Sequence, residues 1–144
     1  MASRTKAREL ALQMLFQWEV GKHPTEEVLQ TFLGKRRLDP ETGAFARDLF
    51  KGVVEGVSQL DQLIREHATH WKVERMAVID RNILRLGVYE IIHFPETPPA
   101  VVINEAIEIA RRFSGEDSVE FVNCVLDAIH KSLATNLSGH ESSK

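Results

Sequence analysis

The sequence contains a single cysteine, Cys124, so no disulfide can form within the chain. Its first residues lack the apolar core of a secretory signal peptide. No apolar run approaches the roughly 20 residues that a helix needs to span a bilayer. These absences predict a cytoplasmic protein with no membrane role.

Signatures of catalysis and of metal binding are missing as well. There is no Gly-rich phosphate loop, no nucleophile elbow, and no spacing that sets a serine or Cys124 against a histidine and an orienting acid. His67 and His70 could share one helix face, but two histidines without a nearby cysteine or carboxylate set seldom make a zinc site. We therefore expect no enzyme activity, no metal and no cofactor.

The charge balance excludes a protein that coats nucleic acid without selection. Lys and Arg total 18 against 21 Asp and Glu, which gives a net charge of -3. Any nucleic-acid site must therefore be a local patch. The 144 residues, 43% of them hydrophobic, fit one globular domain. We expect that domain over about 1–137, with subdomains of about 1–70 and 71–137, and a flexible tail over 138–144.

Apolar residues recur at helical spacing nearly everywhere, which predicts an all-α fold. Asp39 followed by Pro40 is a good start signal, and Asp117 with Glu120 resembles a capping box. In the third helix Gly52 and Gly56 are four apart and could let another helix approach closely. The six principal helices are expected at about Arg4 to Val20, Thr25 to Leu33, Asp39 to His67, Val73 to His93, Pro99 to Phe113 and Ser118 to Leu133.

The first helix combines a basic start with an aromatic residue off its apolar stripe. Arg4, Lys6 and Arg8 come before the first acid, Glu9, at the helix end whose dipole favours phosphate. On a helical wheel Phe16 falls nearly opposite the core stripe. Cations beside an exposed ring suit single-stranded RNA. Residue types alone favour the alternative, a solvated N-terminal arm with Phe16 covered by another helix.

The last helix repeats this pattern, because Phe121 lies off its apolar stripe. Asn123 can read base edges, and Asp117 can accept a hydrogen bond from a base amino group. The local alternative is that Asp117 is simply the N-cap and Phe121 packs on a neighbour. In the fourth helix Asp80 and Glu90 lie on or beside the apolar face, so they need hydrogen-bonded partners, or a protein interface at Asp80.

Five segments of the chain together resemble the NusB family. The two most specific are INEAIEIA (residues 103–110) and FVNxVLD (residues 121–127), in that order after a proline break. The other three are ARELALQ (residues 7–13), FARDL (residues 45–49) and ILRL with YE (residues 83–86 and 89–90). The resemblance covers about Ala2 to Leu133.

The resemblance implies two three-helix bundles in one compact domain and a role in transcription antitermination on ribosomal RNA transcripts. It implies three partners, which are boxA-type RNA, the small ribosomal protein NusE and the RNA polymerase antitermination complex. A homodimer is also compatible with the family. The RNA-binding residues predicted from the resemblance and from residue type are Arg4, Lys6, Arg8, Phe16, Asp117, Phe121 and Asn123, and the predicted partner-binding residue is Asp80.

Two departures from the family pattern accompany the resemblance. Thr5 and Lys6 stand where further arginines can occur, and Cys124 stands where the family usually has glycine, at what could be a close helix contact.

Two rival functions remain. One is a helical protein-interaction module with little RNA binding. The other is the RNA-methyltransferase family whose N-terminal domain resembles NusB, which we expect the chain's length to exclude.

Overall fold

A computed structural model describes residues 3–34, 37–69 and 71–142, the stretch 136–142 as backbone only. These residues form seven α-helices and one 3-10 turn, and they contain no strand, so the all-α prediction is confirmed. The helices are α1 (Arg4–Glu19), α2 (Thr25–Leu33), α3 (Pro40–Glu55), α4 (Val57–His67), α5 (Val78–His93), α6 (Pro99–Phe113) and α7 (Glu116–Ser142).

The start signal of the third helix acts as the sequence predicts, and a side chain caps the first helix as well. The Asp39 carboxylate caps α3 by accepting from the amides of Glu41 and Thr42, and Pro40 is the first helical residue. The Ser3 hydroxyl caps α1 by accepting from the amide of Lys6. The Ser3 amide in turn donates to Thr42 Oγ1 at 2.9 Å, which fixes the start of α1 against the start of α3.

The expected long third helix is two helices, because the chain bends at Gly56. This glycine has φ -107° and ψ 19°, outside the helical region, although its amide still donates to the Gly52 carbonyl. The bend lets the two parts face different neighbours: α3 packs on α1 and α5, whereas α4 packs on α5 and α7. A glycine inside a helical pattern is a common site for such a kink.

The expected fourth helix begins later than predicted. Val73–Arg75 form a 3-10 turn, Met76 and Ala77 are extended, and α5 starts at Val78. Because Val73 and Met76 are both buried, the turn is anchored in the core. The prediction that this helix is central is confirmed, since α5 packs against α1, α3, α4, α6 and α7.

The last helix is longer than expected at both ends. It begins at Glu116, so Asp117 lies in its first turn and is not the N-cap. The preceding Gly115 has φ +148° and makes the sharp turn out of α6. The backbone stays helical to Ser142, well beyond the predicted end near Leu133.

Two glycines let helices pack closely around α5. A Cβ on Gly52 would lie 2.0 Å from Cζ of Tyr89, so only a glycine lets α3 accept that ring. A Cβ on Gly87 would lie 2.9 Å from Cδ1 of Leu126 on α7. The expected close contact at Cys124 is not found, because this side chain is exposed on α7.

Candidate nucleic-acid interface

The basic start of α1 has two exposed cations and one buried cation. Arg4 and Lys6 are exposed, and the Arg4 guanidinium lies over the Phe45 ring at 4.0 Å from its centroid. Arg8 is buried, with its guanidinium 5.6 Å from the centroid of the same ring. The three predicted cations therefore do not form one patch.

Arg8 belongs to a buried ion cluster. Its Nε and Nη2 donate to the two carboxylate oxygens of Glu90 at 2.8 and 2.5 Å, and its Nη1 donates to Glu105 at 2.9 Å. The side chains of Arg8 and Glu90 are only 7% and 2% exposed. Thr5 Oγ1 donates to the same Glu105 oxygen at 2.6 Å. Glu90 thus has the partner that its apolar position requires, and the Arg8 guanidinium is fully occupied by carboxylates.

Polar side chains of α1 and α6 make contacts at successive positions along the two helices. Thr5 and Arg8 reach Glu105, and Glu9 pairs with Arg112 at 2.8 Å. These contacts run from the start of α1 toward Phe16 and from the middle of α6 toward its end. These side-chain contacts bridge the two helices, which both pack on α5, and they lead toward a cleft.

Phe16 and Phe113 flank this cleft, which has a volume of about 280 Å³. The two rings are 39% and 38% exposed, so the expectation that Phe16 lies outside the core is confirmed. Gln13 and Gln17 lie on the α1 side of the cleft. Half-exposed aromatic walls with side-chain amides beside them are suited to a planar, polar-edged group such as a nucleobase.

Asn82 lines the cleft and belongs to a rigid polar network. Its Nδ2 donates to Glu19 at 3.0 Å, and its Oδ1 accepts from Arg85 at 2.9 Å. Arg85 also makes two hydrogen bonds to Asp61, at 2.7 and 2.8 Å. Burial alone would lower the pKa of Arg85, but the carboxylates of Asp61 and Glu19 outweigh it, and the pKa is raised. The guanidinium is therefore a permanent charge that holds α1, α4 and α5 together beneath the cleft.

Asp80 joins the start of α5 to the start of α7. Its Oδ2 accepts from the Ser118 hydroxyl at 2.9 Å, and that hydroxyl is 2.7 Å from the hydroxyl of Ser114. Its Oδ1 is buried and has no hydrogen-bond partner among the described residues. Because Ile79 lines the cleft and Ser114 follows Phe113, Asp80 lies between the cleft and α7.

The predicted residues of α7 fall on two sides of the helix. Asp117 and Phe121 are four apart and share one face, whereas Asn123 is two residues beyond Phe121, about 160° away around the helix. Asp117 and Asn123 are exposed, and Phe121 is half-buried. The Phe121 ring contacts the Trp71 ring edge-on, with centroids 5.5 Å apart. The structure therefore groups Asp117 and Phe121 and leaves Asn123 apart.

Sequence reasoning missed two aromatic residues of this surface. In the sequence, Phe113 marks only the predicted end of a helix, and Trp71 falls between the predicted third and fourth helices. A wheel can locate Phe16 because α1 has a long apolar stripe for reference. Phe113 and Trp71 lie at a helix end and in a link, where no such reference exists.

The described residues include no helix that is long and apolar enough to cross a membrane. They also contain no cluster of three or more His, Cys, Asp or Glu side chains that could hold a metal ion. His67 Nδ1 lies 2.8 Å from the Leu63 carbonyl oxygen. His70, the other histidine considered as a ligand, lies outside the described residues.

Comparisons with known proteins converge on one family. The chain matches the NusB family model over residues 5–131. It is 51% identical over 132 residues to the transcription antitermination protein NusB of Koribacter versatilis, covering 91% of this chain and 90% of that protein. The solved structure of T. maritima NusB superposes with a TM-score of 0.84 at 36% identity, covering 91% of this chain and 93% of that one.

A second solved structure has the antitermination factors NusB and NusE in complex with double-stranded RNA. It superposes with a TM-score of 0.82 at 26% identity, covering 90% of this chain and 96% of the matched chain. The helical order, the family match and the identity to curated relatives agree. This chain belongs to the NusB family.

Proposed function

We propose that this protein is a non-catalytic transcription antitermination factor that binds boxA-type single-stranded RNA together with NusE, in the cytoplasm. The observation that carries the proposal is the cleft between Phe16 and Phe113, with half-exposed rings and amide side chains beside it. Aromatic faces stack on unpaired bases, and neighbouring amides offer both donors and acceptors to base edges. The names of the curated relatives and the NusB–NusE–RNA structure support the same function.

RNA binding is proposed to use the exposed predicted residues. Arg4 and Lys6 attract phosphates at the start of α1, and Phe16 stacks on a base in the cleft. Phe121 and Asp117 continue the surface along one face of α7. Asn123 lies on another side of α7 and would need RNA to wrap around that helix.

Arg8 is not proposed to contact RNA directly. Its guanidinium is already paired with Glu90 and Glu105, and exposing it to a phosphate would leave the buried Glu90 carboxylate unpaired. Its proposed role is to hold α1 in place, so that Arg4 and Phe16 face outward.

Asp80 is proposed to lie at the edge where NusE meets the RNA. One carboxylate oxygen is held by Ser118, which fixes its orientation, and the other lacks a partner among the described residues. Because that oxygen is buried, Asp80 would shape the partner surface by joining the starts of α5 and α7, and not by a direct hydrogen bond to the partner. The antitermination complex of RNA polymerase would then form on this surface.

The rival function, a protein-interaction module with little RNA binding, gains weight from the burial of Arg8, because only Arg4 and Lys6 remain as exposed cations at the start of α1. Reversing both charges, with Arg4→Glu and Lys6→Glu, separates the two functions. We expect weaker RNA binding and a salt dependence that is smaller by about one unit of slope per cation. Fluorescence anisotropy at several salt concentrations measures both quantities.

The matched control reverses two exposed cations that are not among the proposed RNA contacts, with Lys22→Glu and Lys131→Glu. It changes the net charge by the same amount, so a general electrostatic effect would weaken RNA binding equally in both double variants. If both double variants bind RNA as the unmodified protein does, α1 takes no part in RNA binding and the interaction module is favoured.

A further inference from the structure

Trp71 is more exposed than any other large hydrophobic residue that the structure describes. Its side chain is 59% exposed, and it lies in the link between α4 and the 3-10 turn. A large indole in contact with water is a frequent sign of a binding surface. The site residues predicted from the sequence do not include Trp71.

The link holds this ring in a defined place. The Trp71 amide donates to the Ala68 carbonyl at 3.0 Å. Ala68 on one side and Val73 on the other are both buried in the core. The link is therefore anchored at both ends, and the indole is presented outward.

The indole continues the surface that α7 contributes to the proposed RNA site. It contacts Phe121 edge-on, with ring planes at 61°, which leaves a face of the indole open. Phe121 is one helical turn beyond Ser118, whose hydroxyl binds Asp80. The rings of Trp71 and Phe121 and the Asp80 carboxylate therefore lie one after another along one side of the molecule.

Cations lie next to the open indole. Lys72 is exposed beside Trp71, and the Arg65 side chain is 47% exposed and pairs only with exposed groups, Gln62 and Glu74. Arg65, Lys72 and Glu74 line the same depression as Trp71, and this depression has a volume of about 520 Å³. A phosphate at Arg65 would therefore displace the exposed Glu74 carboxylate. A flat aromatic face next to two accessible cations matches a nucleotide, which has a base to stack and a phosphate to pair.

We propose that Trp71 is a second stacking residue for single-stranded RNA, placed beyond Phe121, with Lys72 and Arg65 contacting the adjoining phosphates. The proposal rests on the proposed RNA-binding function and extends the RNA path from the Phe16 cleft over α7 to the α4 end of the molecule. Stacking on an indole tolerates any base, so Trp71 adds affinity and not sequence selection.

Intrinsic fluorescence tests this directly, because the chain has only two tryptophans. In a Trp18→Phe variant, Trp71 is the sole indole. Titration with a boxA-like single-stranded RNA is expected to quench its emission, with the same midpoint as RNA anisotropy. A Trp71→Ala variant should bind this RNA about 5- to 150-fold more weakly, as expected for loss of one stacked base.

A Val101→Ala variant is the matched control, since Val101 is an exposed apolar residue at the far end of α6 and should leave affinity unchanged. Circular dichroism checks that Trp71→Ala is folded, and Trp71→Phe, which keeps an aromatic face, should recover most of the affinity.

RNA binding with unchanged Trp71 emission and full affinity of Trp71→Ala would overturn this proposal alone. No RNA binding by the unmodified protein would overturn the proposed function and this proposal together. Loss of NusE binding but not RNA binding in Trp71→Ala would assign the ring to a protein partner and overturn the proposal.

Discussion

Arg4 and Arg8 are one helical turn apart on α1 and have opposite surroundings. Arg4 is exposed over the face of Phe45, whereas Arg8 is enclosed by Glu90 and Glu105. A partly exposed cation–π contact is worth at most about 1 kcal/mol, while an uncompensated buried charge costs several times more. The two arginines should therefore separate stability from RNA binding.

Replacing Arg8 with alanine is expected to lower the free energy of unfolding by about 3–5 kcal/mol, because Glu90 is left buried without its partner. Replacing Arg4 with alanine should lower it by less than about 1 kcal/mol and should weaken RNA binding instead. Urea denaturation followed by circular dichroism measures the first quantity. Equal and small losses of stability in the two variants would show that the Arg8 cluster does not stabilise the fold.

Gly52 and Gly43 on α3 provide a second contrast between neighbouring residues. Alanine at Gly52 would push into the Tyr89 ring and is expected to destabilise the protein by about 1–3 kcal/mol. Alanine at Gly43 meets only Leu38 Cδ1 at 4.0 Å and should stabilise the helix by about 0.5–1 kcal/mol. The urea midpoints of the two variants should move in opposite directions. A shift of both midpoints upward would mean that α3 and α5 are not packed as closely as described.

At the scale of elements, α1 carries both the core and the proposed RNA surface. Its inner stripe is fully buried, and its outer side presents Phe16 to the cleft shared with Phe113 at the end of α6. The two rings belong to different helices, so the cleft depends on the positions of α1 and α6, which both pack on α5 and are bridged by the contacts of Glu105 and Arg112.

Phe16→Ala and Phe113→Ala should each weaken RNA binding by about 1–3 kcal/mol if the rings stack on bases. Because a base between the two rings would contact both, the double variant should lose less than the sum of the single losses. Isothermal titration with boxA-like RNA measures the losses, and Ile92→Ala, at an exposed apolar residue of α5, is the control. Unchanged affinity in both single variants would remove the cleft from the RNA site.

The helical segments could be predicted where an apolar stripe is bounded by strong local signals. Thr25–Leu33 and Pro99–Phe113 follow the sequence pattern at both ends. The break at Gly56 could not be predicted, since the apolar spacing continues through it and only the different neighbours of α3 and α4 reveal it. The extended conformation of Met76 and Ala77 could not be predicted either. The burial of Val73 and Met76 overrides the helical spacing of the apolar residues in this stretch.

The site could be predicted only in part. The exposure of Phe16 follows from the geometry of one helix, and so a wheel is enough to find it. The burial of Arg8 depends on Glu90 and Glu105, which are 82 and 97 residues away along the chain. The contact between Trp71 and Phe121, and the cleft that Phe16 and Phe113 both line, likewise bring together residues that are far apart along the chain. Contacts of this range leave no local pattern.

At the scale of the whole molecule, two charged clusters join the first four helices to the last three. Arg8 connects α1 to Glu90 on α5 and Glu105 on α6, and Arg85 on α5 connects to Glu19 on α1 and Asp61 on α4. In this chain of net charge -3, many of the Lys and Arg side chains that the structure describes are paired with carboxylates, namely Arg8, Arg65, Arg81, Arg85, Arg111, Arg112 and Lys131. RNA recognition must then depend on a few exposed cations, on stacking aromatics and on help from a partner protein.

This account is tested most directly by titrating a fluorescent boxA-like RNA, and a scrambled RNA of the same composition, with the protein at two salt concentrations. Each titration is made with and without NusE, and a double-stranded form of the boxA-like RNA is included. The account predicts tighter binding to single-stranded boxA-like RNA than to the scrambled RNA, weakening at higher salt, and strengthening by NusE. Equal binding to all the RNAs, or no binding even with NusE, would contradict it.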